Sequence, residues 1–170
     1  IMGGGNDTLS GGAGNDTFQI NAATDISDGI NLSGGDGSDR LLVNSTDIST
    51  LSFSRTDTQI ATTETFDLRG GSDGGVTVSI AADDLDGIST IIGDGTSDIL
   101  NLFAGNDLDL RGKTLTDIET INLTQVVNSD VFNLSGTLMR IFINSGTTLT
   151  GLTTITGSVD SSGNPDDRIE

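Results

Sequence analysis

Nine residues, used twice back to back, constrain this 170-residue chain more than anything else in it. Residues 2–10 are Met-Gly-Gly-Gly-Asn-Asp-Thr-Leu-Ser, and residues 11–19 are Gly-Gly-Ala-Gly-Asn-Asp-Thr-Phe-Gln. A third copy, Gly-Gly-Asp-Gly-Ser-Asp-Arg-Leu-Leu, spans residues 34–42. Met2 apart, all three fit G-G-x-G-x-D-x-U-x, where U is a large apolar residue. A unit this short cannot bury its own apolar side chain, so copies must stack coil on coil, as in a solenoid. The last nine residues, Ser162–Glu170, keep Gly163, Asp167 and Ile169 at the matching positions and form a degenerate fourth copy. The chain therefore reads as a piece of a longer repetitive protein: a nonapeptide region (1–43), degenerate coils (44–161), and the start of a further nonapeptide (162–170).

The middle repeats more loosely. Ser-Asp followed by alternating apolar residues occurs at Ser38-Asp39, Ser97-Asp98 and Ser129-Asp130. Thr-apolar pairs recur at Thr65-Phe66, Thr90-Ile91, Thr120-Ile121 and Thr154-Ile155, which are 25, 30 and 34 residues apart. Short alternating runs such as Ile99–Leu102 predict strands, and the spacing suits solenoid coils. One stretch, Ser79 to Asp86, predicts a helix capped by Ser79 and stopped by Gly87. The expected fold is all-β: a parallel β-roll or β-solenoid with glycine-rich turns and longer degenerate coils. Composition agrees, because Asp, Asn, Gly, Ser and Thr form turns and make poor helices. Leu, Ile, Val and Phe still exceed the share, about 20%, below which disorder is the default.

Charge and absent residue types exclude several functions. Seven basic residues face 25 acidic ones, for a net charge of −18. Nucleic-acid binding wants a basic face and stacking aromatics, and the chain has no Trp or Tyr and only 6 Phe. With no His or Cys, zinc, haem, iron–sulfur sites and His- or Cys-based nucleophilic triads are excluded. No apolar run reaches the roughly 18 residues of a membrane span. A chain at −18 repels itself when compact, and divalent cations are the simplest neutraliser.

The nonapeptide suits such a cation. Its glycines permit sharp turns at positive φ, which can aim carbonyl oxygens inward. Calcium takes six to eight oxygens, carbonyl or carboxylate, and Asp at position 6 supplies a short carboxylate. Position 8 (Leu9, Phe18, Leu41) points into the core. One turn cannot fill the shell, so ion binding and coil stacking become one event. The alternative for each Asp is a turn that caps its own backbone. Asp83-Asp84-x-Asp86 is either a further ion site or a solvated acidic turn. Glu64 and Glu119 hold equivalent repeat positions, expected to face outward from strands.

Residues 2–19 and 34–42 resemble the haemolysin-type (RTX) calcium-binding repeat family. The resemblance implies a parallel β-roll with Ca2+ between turns, an apo state that is largely disordered, and type I secretion to calcium-rich extracellular surroundings. It implies side-chain ligands at Asp7, Asp16 and Asp39, and carbonyl ligands at Gly3, Gly5, Gly12, Gly14, Gly35 and Gly37. Asp98 and Asp167 are further candidates. The run Gly93-Asp94-Gly95-Thr96-Ser97-Asp98 departs from the pattern by an extra residue, and the 14 residues between Gln19 and Gly34 leave the stacking partner of Asp39 open.

Three functions remain. The first is a non-enzymatic, calcium-folded structural module of a large secreted or cell-surface protein, of surface-layer or adhesin type, in which calcium also bridges subunits into an array. The second is the accessory repeat region of a secreted enzyme or toxin. The third is a polysaccharide-acting β-helix enzyme, although Lys113 is the sole Lys and no Tyr, His or Trp exists to serve as base or stack a sugar. Ice or polysaccharide binding would need flat Thr rows on an outer face, and the Thr spacing is irregular.

Overall fold

The computed structural model describes residues 7–26, 29–53, 58–103 and 108–124, with strands at 140–142, 148–150, 154–156 and 168–169. In chain order the strands are β1 (Asp7–Ala13), β2 (Thr17–Ile20), β3 (Ile30–Asp36), β4 (Arg40–Asn44), β5 (Thr50–Ser52) and β6 (Gln59–Ala61). They continue as β7 (Thr65–Gly70), β8 (Thr77–Ala81), β9 (Thr90–Ile92), β10 (Ile99–Phe103), β11 (Leu108–Asp109) and β12 (Thr114–Thr116). The remainder are β13 (Thr120–Thr124), β14 (Arg140–Phe142), β15 (Thr148–Thr150), β16 (Thr154–Thr156) and β17 (Arg168–Ile169).

Every pairing among the described residues is parallel. Successive strands visit different sheets and return one coil later, so the chain is a β-solenoid. One side carries β2-β4-β7-β9-β12-β15 and a second carries β5-β8-β10-β13-β16. The third side is built from β1-β3-β6 at one end and β11-β14-β17 at the other. Between them the 3-10 turn Ala82–Leu85 takes a strand's place, packing on β6. A second 3-10 turn, Ala23–Asp25, packs on β5 at the start of the second side.

The core follows from alternation. Inward residues stack in register as Phe18, Leu41, Phe66, Ile91 and Leu115 on the first side. Leu51, Val78, Leu100 and Ile121 stack on the second. All nine are buried, each burial contributing about 1.5–3 kcal/mol. Phe53 and Phe66 meet edge to face at 5.9 Å. Buried residues from Phe18 to Ile121 form one cluster. Phe18 and Leu41 thus point inward as the nonapeptide requires, and Leu9 packs against the cluster partly buried.

Two expectations need correction. Ser79 to Asp86 is not a helix: Thr77–Ala81 is strand β8, and only Ala82–Leu85 turns, as a 3-10 segment. Val78 and Ile80 fit between β5 and β10 and bury their side chains, so sheet pairing overrides the local helical signal. The Thr-apolar series also mixes two ladders. Thr65 and Thr90 pair on the first side, whereas Thr120 and Thr154 pair on the second, so the interval of 30 crosses a corner.

Candidate metal centre at the stacked glycine turns

The two nonapeptides that stack are not the two that abut in sequence. Residues 11–19 lie directly on residues 34–42: Gly12 opposes Gly35, Thr17 opposes Arg40 and Phe18 opposes Leu41. The 14 residues between Gln19 and Gly34 travel around the rest of the coil, through the turn Ala23–Asp25 and into β3. The stacking partner of Asp39 is therefore Asp16, whose backbone N–H donates to Asp39 Oδ1 at 2.7 Å. One coil further, the N–H of Asp39 donates to Glu64 Oε2 at 2.7 Å. In return Asp39 O accepts from the N–H groups of Glu64 and Thr65, each at 3.1 Å.

The same construction recurs at the next corner, between β9 and β10. Val76 N–H donates to Asp98 Oδ1 at 2.6 Å, and Asp98 N–H donates to Glu119 Oε2 at 2.6 Å. Asp98 O accepts from Glu119 and Thr120 at 3.0 and 3.2 Å. Thr62 and Asp117, each two residues before the Glu, are the non-glycine residues with left-handed backbone (φ 46° and 53°) among the described residues. Glu64 and Glu119 are thus equivalent, as the repeat implied. They sit at corners accepting N–H groups from the preceding coil, rather than on outward strand positions.

Glycine at position 1 is required by the fold-back of the carboxylate. A Cβ on Gly11, Gly34 or Gly93 would overlap the Oδ2 of Asp16, Asp39 or Asp98 respectively. The interval from this Gly to its Asp is the same in all three turns, so Gly93–Asp98 carries no extra residue. It departs instead at positions 2 and 4, where Asp94 and Thr96 stand in place of glycine.

The exchange at position 2 decides the state of the second carboxylate oxygen. Asp94 N–H donates to Asp98 Oδ2 at 2.8 Å, so both oxygens of Asp98 are engaged by backbone. Gly35, at φ 109°, turns its N–H away to Thr62 Oγ1 at 2.9 Å. Asp39 Oδ2 is left buried without a hydrogen-bond partner, and so is Asp16 Oδ2. Asp39 is 1% exposed. Two stacked turns thus each hold an orphaned carboxylate oxygen, an arrangement that costs several kcal/mol unless a cation or proton answers it.

Electrostatics point the same way. Carboxylates on adjacent coils, about 5 Å apart along the axis, repel by about 3 kcal/mol at an effective dielectric near 20. Asp16, Asp39 and Glu64 form such a column, and Asp98 with Glu119 another. Burial, and the charges of Asp94 and Glu119, raise the Asp98 pKa against the opposing N–H bonds from Val76 and Asp94.

Other acids behave differently. Asp67 is buried, which works to raise its pKa, but hydrogen bonds and charge from Arg69, with the charge of Arg40, hold it below the usual carboxylate range. Arg69 contacts it at 2.8 Å and Arg40 at 3.4 Å. Asp25 accepts from Asn21 and Ala22 N–H at 2.8 and 3.0 Å and caps its own turn. Asp84 is pushed up to about 6 by burial, then by Asp83 and Asp86.

Asp7 begins β1 opposite Ile30, on a flank away from the Asp16–Asp39 column. Gly12 and Gly14 (φ 104° and 110°) stack beneath Gly35 and Gly37 (φ 109° and 145°). Gly3, Gly5, Asp167 and Ser129-Asp130 lie outside the described residues. Among the described residues no three acidic side chains converge on one point, so an ion here would draw the balance of its shell from carbonyls. Sequence reasoning missed the roles of Glu64 and Glu119. Their signal was present, since apart from Glu170 they are the only Glu in a chain rich in Asp.

Among the described residues no helix is long and apolar enough to cross a membrane. Compared with known proteins, the chain matches no family model, no curated protein and no solved structure.

Proposed function

We propose that this chain is a calcium-binding structural module: a β-solenoid that folds on Ca2+ and serves in a large secreted or cell-surface protein of surface-layer or adhesin type. One observation carries the reading, the pair of buried, unpartnered oxygens Asp16 Oδ2 and Asp39 Oδ2 on glycine turns stacked in register. A hard cation that accepts carboxylate and carbonyl oxygens together answers both orphans. It also answers the repulsion along the Asp16–Asp39–Glu64 column. Asp16 and Asp39 would supply carboxylates, and the turns Gly12–Gly14 and Gly35–Gly37 carbonyls. Sites of this open kind bind at about 10⁻⁴–10⁻³ M, which suits calcium-rich surroundings outside a cell. Exposed carboxylates over the rest of the surface would let the same ion bridge copies into an array.

Far-UV circular dichroism during titration with calcium, then magnesium, tests the reading. The expected outcome is a cooperative gain of β signal at millimolar calcium and none with magnesium. Asp39→Asn should weaken the calcium midpoint about tenfold or more, while Asp73→Ala, at an exposed turn, leaves it unchanged. Equal effects from both would mean diffuse screening, and a spectrum indifferent to calcium would remove the metal reading.

A further inference from the structure

The corner column of Asp16, Asp39 and Glu64 does not continue as carboxylates in the next two coils. Register on the first side pairs Thr17, Arg40, Thr65, Thr90 and Thr114. The residues just before them are Asp16, Asp39, Glu64, Ser89 and Lys113. The sole lysine of a chain at −18 therefore stands at the position that acids hold in the first three coils. It is 9% exposed. Its Nζ reaches back one coil and donates to three backbone carbonyls: Leu85 at 3.0 Å, Asp86 at 3.0 Å and Ile88 at 2.7 Å.

Those carbonyls belong to the corner turn. Counted back from Thr90, residues 85, 86 and 88 take the places of Gly12, Ala13 and Asn15 before Thr17, and of Gly35, Asp36 and Ser38 before Arg40. Three carbonyl oxygens around one positive charge is the environment a cation finds in place of water, and a buried ammonium survives only when its donors are met in this way.

We propose that the carbonyl ring of Leu85, Asp86 and Ile88 is a cation site whose resident cation is the ammonium of Lys113. The chain itself thereby carries, tethered to the next coil, the charge that the glycine turns take from solution. That contrast with the glycine turns rests on the calcium reading, but the assignment of Lys113 does not. Residues 82–103 and 108–122 then fold without calcium, because Lys113 fills their corner and both oxygens of Asp98 already accept backbone N–H groups. Emptied of its lysine, the ring accepts a free ammonium-type cation.

Hydrogen exchange on the full 170-residue chain, in chelator and in millimolar calcium, tests this. Amides of residues 82–92 and 113–122 should be protected in both conditions. Lys113→Met, which keeps the apolar stem, should lose about tenfold or more of that protection, and Lys113→Arg should lose less. For Lys113→Ala, n-butylammonium chloride should restore protection, and n-butanol at equal concentration should not. Wild-type-like exchange in Lys113→Met overturns the proposal, as does rescue by n-butanol equal to that by butylammonium. Calcium-dependent protection of 82–92 and 113–122 in the unaltered chain overturns it as well. Protection of residues 7–44 already in chelator refutes the calcium reading instead, and leaves Lys113 to be judged on its own variants.

Discussion

At the residue scale, the direction of the backbone N–H at position 2 of the turn separates a satisfied aspartate from an unsatisfied one. Asp94 lets its N–H close onto Asp98, whereas Gly35 at positive φ cannot. The glycines of the turn are not interchangeable either. Gly12 and Gly35 both have φ above 100°, but a Cβ on Gly12 meets open space while one on Gly35 would collide with the Gly12 carbonyl. Gly12→Ala should therefore cost about 1 kcal/mol of backbone strain. Gly35→Ala should cost about 3 kcal/mol or more, since strain and collision of the coils combine. Urea unfolding of the two variants in saturating calcium measures the difference, and equal midpoints would contradict the stacking described. This much was legible in the sequence: the motif marks which residues turn and which Asp follows. It does not reveal that the partner of an Asp is the acid one coil away, because coil length is set by the whole circuit. The circuit takes 23 residues from Asp16 to Asp39 and 25 from Asp39 to Glu64.

At the element scale, strand and helical turn compete for one segment, which the second side and the third side divide between them. Ser79 to Asp86 has the local signals of a helix, yet the ladder between β5 and β10 claims Thr77–Ala81 and leaves four residues for the turn. Alternation marks a strand such as Ile99–Phe103 because inward positions are filled by Ile, Leu, Val and Phe. The Thr-apolar pairs, by contrast, are the same in both ladders, so nothing local says which side a pair belongs to. The acidic turn that resulted has a pH signature. Burial and the charges of Asp83 and Asp86 raise Asp84 from 3.8 to about 6, so between about pH 4 and 6 the folded chain holds a proton there that the unfolded chain has released. Its stabilising contribution is complete below about pH 4 and is lost as pH rises through 6. Asp84→Asn should then be more stable than the parent at pH 7 by about 1 kcal/mol, after allowance for screening, with the gain vanishing below about pH 4. Thermal melts at both pH values show it; a gain independent of pH would place its cause elsewhere.

At the scale of the whole molecule, the coils form a one-dimensional stack in which each touches only its neighbours. Leu41 and Leu115 are both fully buried but three coils, about 14 Å, apart. Leu41→Ala and Leu115→Ala should each cost about 2–5 kcal/mol, and their effects should add to within about 0.5 kcal/mol in the double variant. Strong coupling, read in denaturant unfolding, would mean that the stack behaves as a single block. A further consequence lies in the unequal circuits that nonetheless return Thr17, Arg40, Thr65, Thr90 and Thr114 to one line. Height along the axis is counted in rungs of about 4.8 Å, whatever length of chain each circuit consumes. Lineages of such a protein can therefore gain or lose a complete circuit and change only its reach, and can enlarge a bend without disturbing its neighbours. A single residue gained inside a strand, however, exchanges inside for outside along that strand. Length variation should accumulate at the bends and in whole circuits, and spare the rungs.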